Sequence, residues 1–211
     1  MLRCVTAAAI AAATVFGCTA ALGSESLPRE TVAMRIGSEA LAPYAFYDFC
    51  RRTPHECDAD AKPGDRVVLD LKHWSELNQV NDIVNRTVIA KSDWDTYGVA
   101  DYWAIAGKFG DCEDYALTKQ LYLRDRGWPM NALLMTVVFD ENGEGHAVLT
   151  VRTSRGDFVL DNRQSRIVAW NQTPYQFRKR QSSRDPRIWL TLETAPVAHS
   201  ADAVATVSAH K

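Results

Sequence analysis

The spacing of apolar residues changes once along the chain, and this change restricts the fold more than any other feature. Between residues 73 and 90 the apolar side chains recur every three or four positions, at Trp74, Leu77, Val80, Val84 and Val88. That spacing places them on one face and predicts an amphipathic helix from His73 to Ala90. A second helix is predicted from Asp111 to about Arg126, because Asp111 is a good N-cap and Gly127 a good C-terminal stop.

Strand patterns follow the two helices. Ala132–Phe139 is a continuous apolar and β-branched run typical of a buried strand, and the Asn142-Gly143 step after it favours a hairpin. The next two strands are predicted at His146–Thr153 and Asp157–Asn162. Shorter strands are predicted at 65–71, 167–170 and 187–190, a long loop at 92–110, and irregular chain with one short helix at 24–64. Helices followed by an antiparallel meander predict an α+β fold.

Composition excludes several classes of protein. The chain has 211 residues, which favours a single domain. Its 24 basic and 26 acidic side chains give a formal net charge of -2, whereas a nucleic-acid-binding protein usually carries a basic excess on one face. The sequence shows no internal repeat, so a solenoid is not expected. These features predict a globular protein without a nucleic-acid partner.

The first 23 residues have the pattern of a secretory signal. The apolar run Val5–Phe16 is too short to span a bilayer, and Ala21–Gly23 is an acceptable cleavage site. An uncleaved membrane anchor and a lipoprotein modified at Cys18 are the alternatives. We expect a periplasmic or secreted protein with one domain at 24–193, a flexible tail at 194–211 and no transmembrane segment in the mature chain.

Two of the five cysteines lie in the predicted signal, and the other three have different expected roles. Cys50 and Cys57 flank a polar loop and most simply form a disulfide in an oxidising compartment. A metal site of Cys50, His55 and Cys57 is the alternative, although it lacks a credible fourth ligand. Cys112 has no partner, and an unpaired cysteine in an exported protein is either deeply buried or kept for chemistry.

Cys112, His146 and Asp161 form a candidate catalytic set. Cys112 is predicted in the first turn of a helix, where the partial positive charge of the helix N-terminus favours the nucleophilic thiolate. His146 is the best candidate for the base, and Asp161 for the group that orients its imidazole. Each residue also has a structural explanation, as a buried cysteine, a solvated histidine and a turn-forming aspartate. The order of a helix-start cysteine followed by histidine and aspartate on successive strands favours the catalytic interpretation.

The hairpin between the last two strands tests this set. A tight turn at Arg155-Gly156 would place Asp161 opposite Thr150, four residues from His146 and roughly 13 Å away at the rise of a strand. That separation is too long for a direct hydrogen bond. The catalytic interpretation therefore predicts a longer or shifted loop.

The chain resembles a known family at three local sequences, Gly110–Ala116, Gly145–Leu149 and Val159–Asn162. They are similar to those of the bacterial transglutaminase-like cysteine peptidases, whose best understood branch is the LapG-like periplasmic proteases that trim biofilm adhesins. The resemblance implies a papain/transglutaminase-like α+β fold, with the cysteine at a helix N-terminus packed on an antiparallel sheet that carries the histidine and aspartate. It also implies that Cys112 is the nucleophile, His146 the base and Asp161 the orienting group. A surface adhesin as substrate follows from the resemblance alone.

The acidic residues beside Cys112 need a separate explanation. Asp111, Glu113 and Asp114 oppose thiolate formation by like-charge repulsion, which a bound cation would relieve, and carboxylate oxygens favour calcium. LapG-like members use acidic residues flanking the cysteine for calcium, and the resemblance carries this role over to Asp111 and Glu113. The alternative is that Asp111 caps the helix and the other two complement its dipole. We expect no organic cofactor.

The sequence therefore supports one leading function and two alternatives. The leading function is an exported thiol peptidase that cleaves a protein or peptide substrate through an acyl-enzyme thioester. Capture of the same thioester by an amine would make the protein a transglutaminase or amidase. A non-catalytic periplasmic binding or scaffold protein is the third candidate, and it predicts an unreactive Cys112.

Overall fold

The computed structural model describes residues 26–58 and 66–193, and within them an antiparallel sheet is the main element. The strands are β1 (Ile36–Ala40), β2 (Ile89–Ala90), β3 (Phe109–Gly110), β4 (Leu133–Phe139), β5 (Gly145–Thr153), β6 (Gly156–Leu160), β7 (Val168–Ala169), β8 (Gln176–Gln181) and β9 (Trp189–Leu192). Seven of them form the sheet in the order β1-β9-β8-β4-β5-β6-β7, while β2 and β3 form a short parallel pair. The predicted signal at 1–23 and the predicted tail at 194–211 lie outside the described residues.

The helices are α1 (Tyr44–Arg52), α2 (Leu71–Thr87), α3 (Asp93–Tyr97) and α4 (Cys112–Arg124). The two long helices, α2 and α4, are the predicted ones. α2 begins two residues earlier than expected, because the carboxylate of Asp70 accepts a hydrogen bond from the His73 N–H and caps the first turn. α4 ends at Arg124, slightly earlier than the predicted Arg126. The turn that follows it includes Gly127, whose φ of +89° a residue without a Cβ adopts at little cost. No helix among the described residues is long and apolar enough to cross a membrane.

The main core lies between the sheet and the apolar faces of α2 and α4. Its members include Trp74, Leu77, Val80, Val84, Tyr115, Leu117, Leu123, Leu133, Met135, Leu149 and Leu160. A second cluster contains Val138, Val148 and Val159, which alternate along their strands with residues of the main core. The central strands are therefore buried on both faces, which explains the uninterrupted apolar run that predicts β4.

Several predicted segments differ from the structure. Of the predicted strand at 65–71, the structure describes 66–71. In that part Val67 forms only an isolated bridge with Thr153, and Leu71 already begins α2. The predicted loop at 92–110 contains α3 and β3. The region expected to be irregular contains β1 in addition to α1.

The strand β8 is also missing from the prediction, because its sequence is rich in charged and polar residues. Nevertheless it lies between β9 and β4 inside the sheet. Its Arg180 is buried and donates a hydrogen bond to the buried carboxylate of Asp157 at 3.0 Å. A buried charge is tolerated when it is paired, and this pairing cannot be inferred from the local pattern of β8.

A disulfide joins Cys50 at the end of α1 to Cys57, with their Cα atoms 5.6 Å apart. The expected pairing is therefore present, and it removes both thiols from the alternative metal site with His55. The His55 side chain is instead exposed beside Asp58, with a distance of 3.6 Å between its Nδ1 and the carboxylate.

Candidate active site

Three elements position the predicted catalytic residues. Cys112 is the first residue of α4 and is separated from β3 by Asp111, and His146 is the second residue of β5. Both line a cavity of about 300 Å³ whose walls also include Pro43, Trp103, Glu113 and Lys179. Asp161 follows the last residue of β6 and is buried. The structure thus brings together residues that lie 34 and 15 positions apart in the sequence.

His146 and Asp161 form a direct hydrogen bond. The distance from His146 Nε2 to Asp161 Oδ1 is 2.9 Å, and both side chains are shielded from solvent. The β5–β6 turn is at Ser154-Arg155, one residue earlier than a turn at Arg155-Gly156, because the register pairs Leu149 with Leu160. Asp161 therefore falls opposite Val148, two residues from His146, where diagonal side chains reach each other. The turn is thus shifted in the direction that the catalytic interpretation predicts, but not to the centre between Thr153 and Ser154 that would place Asp161 directly opposite His146.

The carboxylate of Asp161 has further donors. Its Oδ1 also accepts the Arg163 backbone N–H at 3.0 Å, and its Oδ2 accepts the Tyr175 hydroxyl at 2.5 Å. Burial by itself would raise the pKa of Asp161, but the hydrogen bonds from His146, Tyr175 and Arg163 outweigh it and hold this pKa below its ordinary value. Asp161 is therefore ionised at neutral pH, as an acceptor for a protonated imidazole requires.

Cys112 is held as a thiol in this structure. Its Sγ lies 3.2 Å from the Glu113 carboxyl, to which it donates a hydrogen bond. Burial and the negative charge of Glu113 raise the pKa of Cys112 well above its usual value, and a hydrogen bond from the Ala147 backbone opposes them only in part. The expected effect of the helix N-terminus is thus outweighed by desolvation and by the neighbouring carboxylate.

Five carboxyl groups gather around the start of α4. The carboxyl oxygens of Asp93, Asp101 and Glu113 lie within 4.8 Å of one another, and so do those of Asp93, Asp111 and Asp114. Burial, with repulsion from Asp111, raises the pKa of Glu113 to about 9 and that of Asp114 to about 7. The same two causes also raise the pKa values of Asp93 and Asp101.

Several oxygens of this cluster are buried without a hydrogen-bond partner among the described residues, namely Oδ1 of Asp93, Oδ1 of Asp111 and Oδ2 of Asp114. Asp111 occupies the N-cap position of α4, but its side chain makes no capping hydrogen bond. Its Oδ2 accepts the backbone N–H of Asp93 at 3.2 Å instead. Capping therefore does not account for Asp111. Unpaired buried carboxylate oxygens are the donor type that a hard cation takes up.

Sequence reasoning missed four residues near this site. Asp93 and Asp101 lie in the segment predicted as a loop, and no local signal connects them with Cys112. Tyr175 contacts both His146 and Asp161. Lys119 is fully buried on α4, and its Nζ has no hydrogen-bond partner among the residues described. Burial lowers the pKa of Lys119 to about 7, against the opposing charge of Asp161. Lys119 lies seven residues after Cys112, which is about two turns of helix. The helical period, which places both residues on one face of α4, is therefore the only signal that the sequence offers.

Comparison with known proteins gives a family and a set of similar structures. The sequence profile of the bacterial transglutaminase-like cysteine proteinases matches residues 36–196. Among solved structures, calcium-bound LapG of Legionella pneumophila is 24% identical, with a TM-score of 0.49 over 59% of this chain and 73% of that one. EGTA-treated LapG of the same organism is also 24% identical, with a TM-score of 0.48 over 58% of this chain and 72% of the other. No curated protein sequence matches the chain.

Proposed function

The chain belongs to the bacterial transglutaminase-like cysteine proteinases, and from this premise we propose that it cleaves a protein substrate through Cys112, His146 and Asp161. Membership of the family makes the protein a cysteine peptidase and confirms the resemblance found in the sequence. The observation that carries the assignment of residues is the buried 2.9 Å bond between His146 and Asp161, beside a cavity that His146 shares with Cys112. This arrangement supports the papain/transglutaminase-like interpretation of the mixed α/β fold.

In the proposed reaction, the sulfur of Cys112 attacks the carbonyl carbon of a peptide bond. His146 accepts the thiol proton at Nδ1, which has no hydrogen-bond partner among the described residues, and then gives it to the departing amine. Asp161 holds the imidazole through Nε2 and stabilises its protonated form. Water then attacks the thioester, releasing the acid and the free thiol. The backbone N–H of Cys112 is the proposed donor to the oxyanion.

A calcium ion fits the acidic cluster beside the nucleophile. Buried unpaired oxygens in the cluster support this fit, as do the pKa values of Glu113 and Asp114, which burial and then repulsion from Asp111 raise. The ligands proposed from the sequence, Asp111 and Glu113, fall in two different sets. Glu113 would hold an ion with Asp93 and Asp101, or Asp111 would hold one with Asp93 and Asp114. A bound divalent cation would supply positive charge that offsets the repulsion against a Cys112 thiolate.

Labelling of the thiol tests the proposal directly. Iodoacetamide is reacted with the purified protein, with calcium or with EGTA, and Cys112 is quantified by mass spectrometry. The wild type should be labelled rapidly in calcium, and His146→Ala should lose this rate. His55→Ala is the matched control, because the His55 side chain is exposed and does not belong to the proposed catalytic set. Slow labelling of wild type that neither His146→Ala nor EGTA changes would refute the proposal and favour the non-catalytic scaffold.

The same acyl-enzyme also serves a transglutaminase or amidase. Hydrolysis and transfer are distinguished by adding an excess of a primary amine during turnover and measuring the masses of the products by mass spectrometry. A peptidase releases free carboxylates, whereas a transglutaminase incorporates the amine. A surface adhesin remains the proposed natural substrate only through the family resemblance.

The disulfide between Cys50 and Cys57 indicates a compartment outside the cytoplasm, where such bonds persist. Together with the apolar leader at the start of the sequence, it supports export to the periplasm or beyond. N-terminal sequencing of the protein purified from its native compartment tests cleavage after Gly23, and lipid found on Cys18 would instead establish a lipoprotein.

A further inference from the structure

Tyr175, which lies just before β8, contacts both members of the buried His146–Asp161 pair. Its hydroxyl donates to Asp161 Oδ2 at 2.5 Å. Its ring packs edge-on against the imidazole of His146, with the two ring centroids 5.5 Å apart and the planes at 69°. The Tyr175 hydroxyl is the donor to Oδ2, since His146 and the Arg163 N–H both bind Oδ1.

The surroundings of Asp161 explain why this contact matters. Without the Tyr175 hydroxyl, Oδ2 would be a buried acceptor with no donor among the described residues, which is a costly arrangement for an ionised carboxylate. The groups that act on the Asp161 charge are His146 from β5, the Arg163 N–H and Tyr175 from the segments after β6 and β7, and Lys119 from α4. Tyr175 is the member of this set that a near-isosteric substitution removes while leaving the others intact.

We propose that Tyr175 is a positioning residue of the peptidase: its O–H keeps the Asp161 carboxylate ionised and aimed at His146, and its ring fixes the plane of the imidazole. This inference rests on the proposed catalytic roles of Cys112, His146 and Asp161. Tyr175 does not line the cavity that holds Cys112, so it acts through Asp161 and His146 and not on the substrate.

Tyr175→Phe keeps the ring and removes the hydroxyl. Loss of one donor to the anion increases the proton affinity of the His146–Asp161 pair as a unit. The acid limb of the pH profile should therefore move to higher pH, by roughly half a unit to one unit. Because the rate on an acid limb changes tenfold per pH unit, this shift should lower the rate at pH 6 by about three- to tenfold. A structural role without an effect on Asp161 would leave the acid limb in place.

The experiment measures the rate constant for alkylation of Cys112 by iodoacetamide between pH 5 and pH 9, in calcium, with the whole protein. Tyr122→Phe is the matched control, because this tyrosine is on the solvent side of α4. Site-specific 3-fluorotyrosine at position 175 is a second variant that retains the fold. Its more acidic hydroxyl is the stronger donor, so the acid limb should move to lower pH, opposite to the effect of phenylalanine.

The outcomes separate this inference from the proposed function. If wild-type Cys112 reacts no faster than a free cysteine, the proposed catalytic set fails. If the wild type reacts rapidly and both variants at position 175 keep its pH profile, the catalytic set stands and the role of Tyr175 is overturned. Opposite shifts for phenylalanine and fluorotyrosine, with unchanged thermal unfolding midpoints, support the role.

Discussion

Replacing Lys119 by methionine should stabilise the protein, and the gain should depend on pH. Lys119 is fully buried, its Nζ has no hydrogen-bond partner among the described residues, and burial lowers its pKa from 10.5 to about 7. The unfolded chain therefore binds a proton between about pH 7 and pH 10.5 that the folded chain does not. Folding stability must then increase with pH across this window and carry the full penalty below pH 7.

The size of the effect follows from the difference of the two pKa values. At about 1.4 kcal/mol per unit, burial of the amine costs roughly 5 kcal/mol at pH 6 and roughly 2 kcal/mol at pH 9. Methionine has a similar length and carries no proton, so Lys119→Met removes this cost. The gain in the free energy of unfolding should be roughly 3 kcal/mol larger at pH 6 than at pH 9. Differences in packing between lysine and methionine cancel in this comparison because they do not depend on pH.

The assay is urea unfolding of wild type and Lys119→Met, followed by circular dichroism. It measures the gain in the free energy of unfolding at pH 6 and at pH 9. Lys108→Met is the control, since Lys108 is exposed, and it should change stability by less than about 0.5 kcal/mol at either pH. An equal gain from Lys119→Met at both pH values would refute the reasoning, because the gain would then come from packing and not from the buried amine.

Three other predictions concern stability. Burial raises the pKa of Glu113 to about 9, so the folded protein keeps a proton that the unfolded chain loses above about pH 4.5. In EGTA the free energy of unfolding of the wild type should therefore decrease from pH 5 to pH 8. Urea titrations should show that Glu113→Gln flattens this slope. Leu149→Ala should lower the free energy of unfolding by about 2–5 kcal/mol because Leu149 is fully buried, while Leu41→Ala at an 88% exposed position should leave it unchanged. Opening the Cys50–Cys57 bridge with both residues changed to serine should cost about 2–3 kcal/mol, since the bridge closes a loop with a separation of 7 residues; unchanged thermal and chemical unfolding would contradict the last two.

The candidate site shows which features the local sequence predicts. The sequence predicts Cys112 at a helix start and His146 at a strand start, and the structure has both. Helix-start residue types and apolar periodicity depend on neighbours within a few residues, although Asp111 makes no capping hydrogen bond. The bond between His146 and Asp161 required one more fact, the position of the turn at Ser154-Arg155. The catalytic roles of the three residues remain predictions that labelling will test.

Other parts of the site depend on contacts between distant segments. Asp93 and Asp101 join the acidic cluster because α3 and the loop after it fold back onto the start of α4. The same holds for β8, in which Arg180 is buried only because Asp157 on β6 neutralises it. A local pattern does not report a partner that lies far away in the sequence.

The sequence by itself determined the family, the two long helices, the central strands and the three residues proposed for catalysis, because these leave local signals of periodicity, capping and motif. Only the tertiary structure decided which carboxyl groups surround Cys112, that its thiol stays protonated, and that Tyr175 holds Asp161. The physical reason is that pKa values and hydrogen bonds in a buried site depend on desolvation and on charges from several elements, and these meet only when the chain has folded.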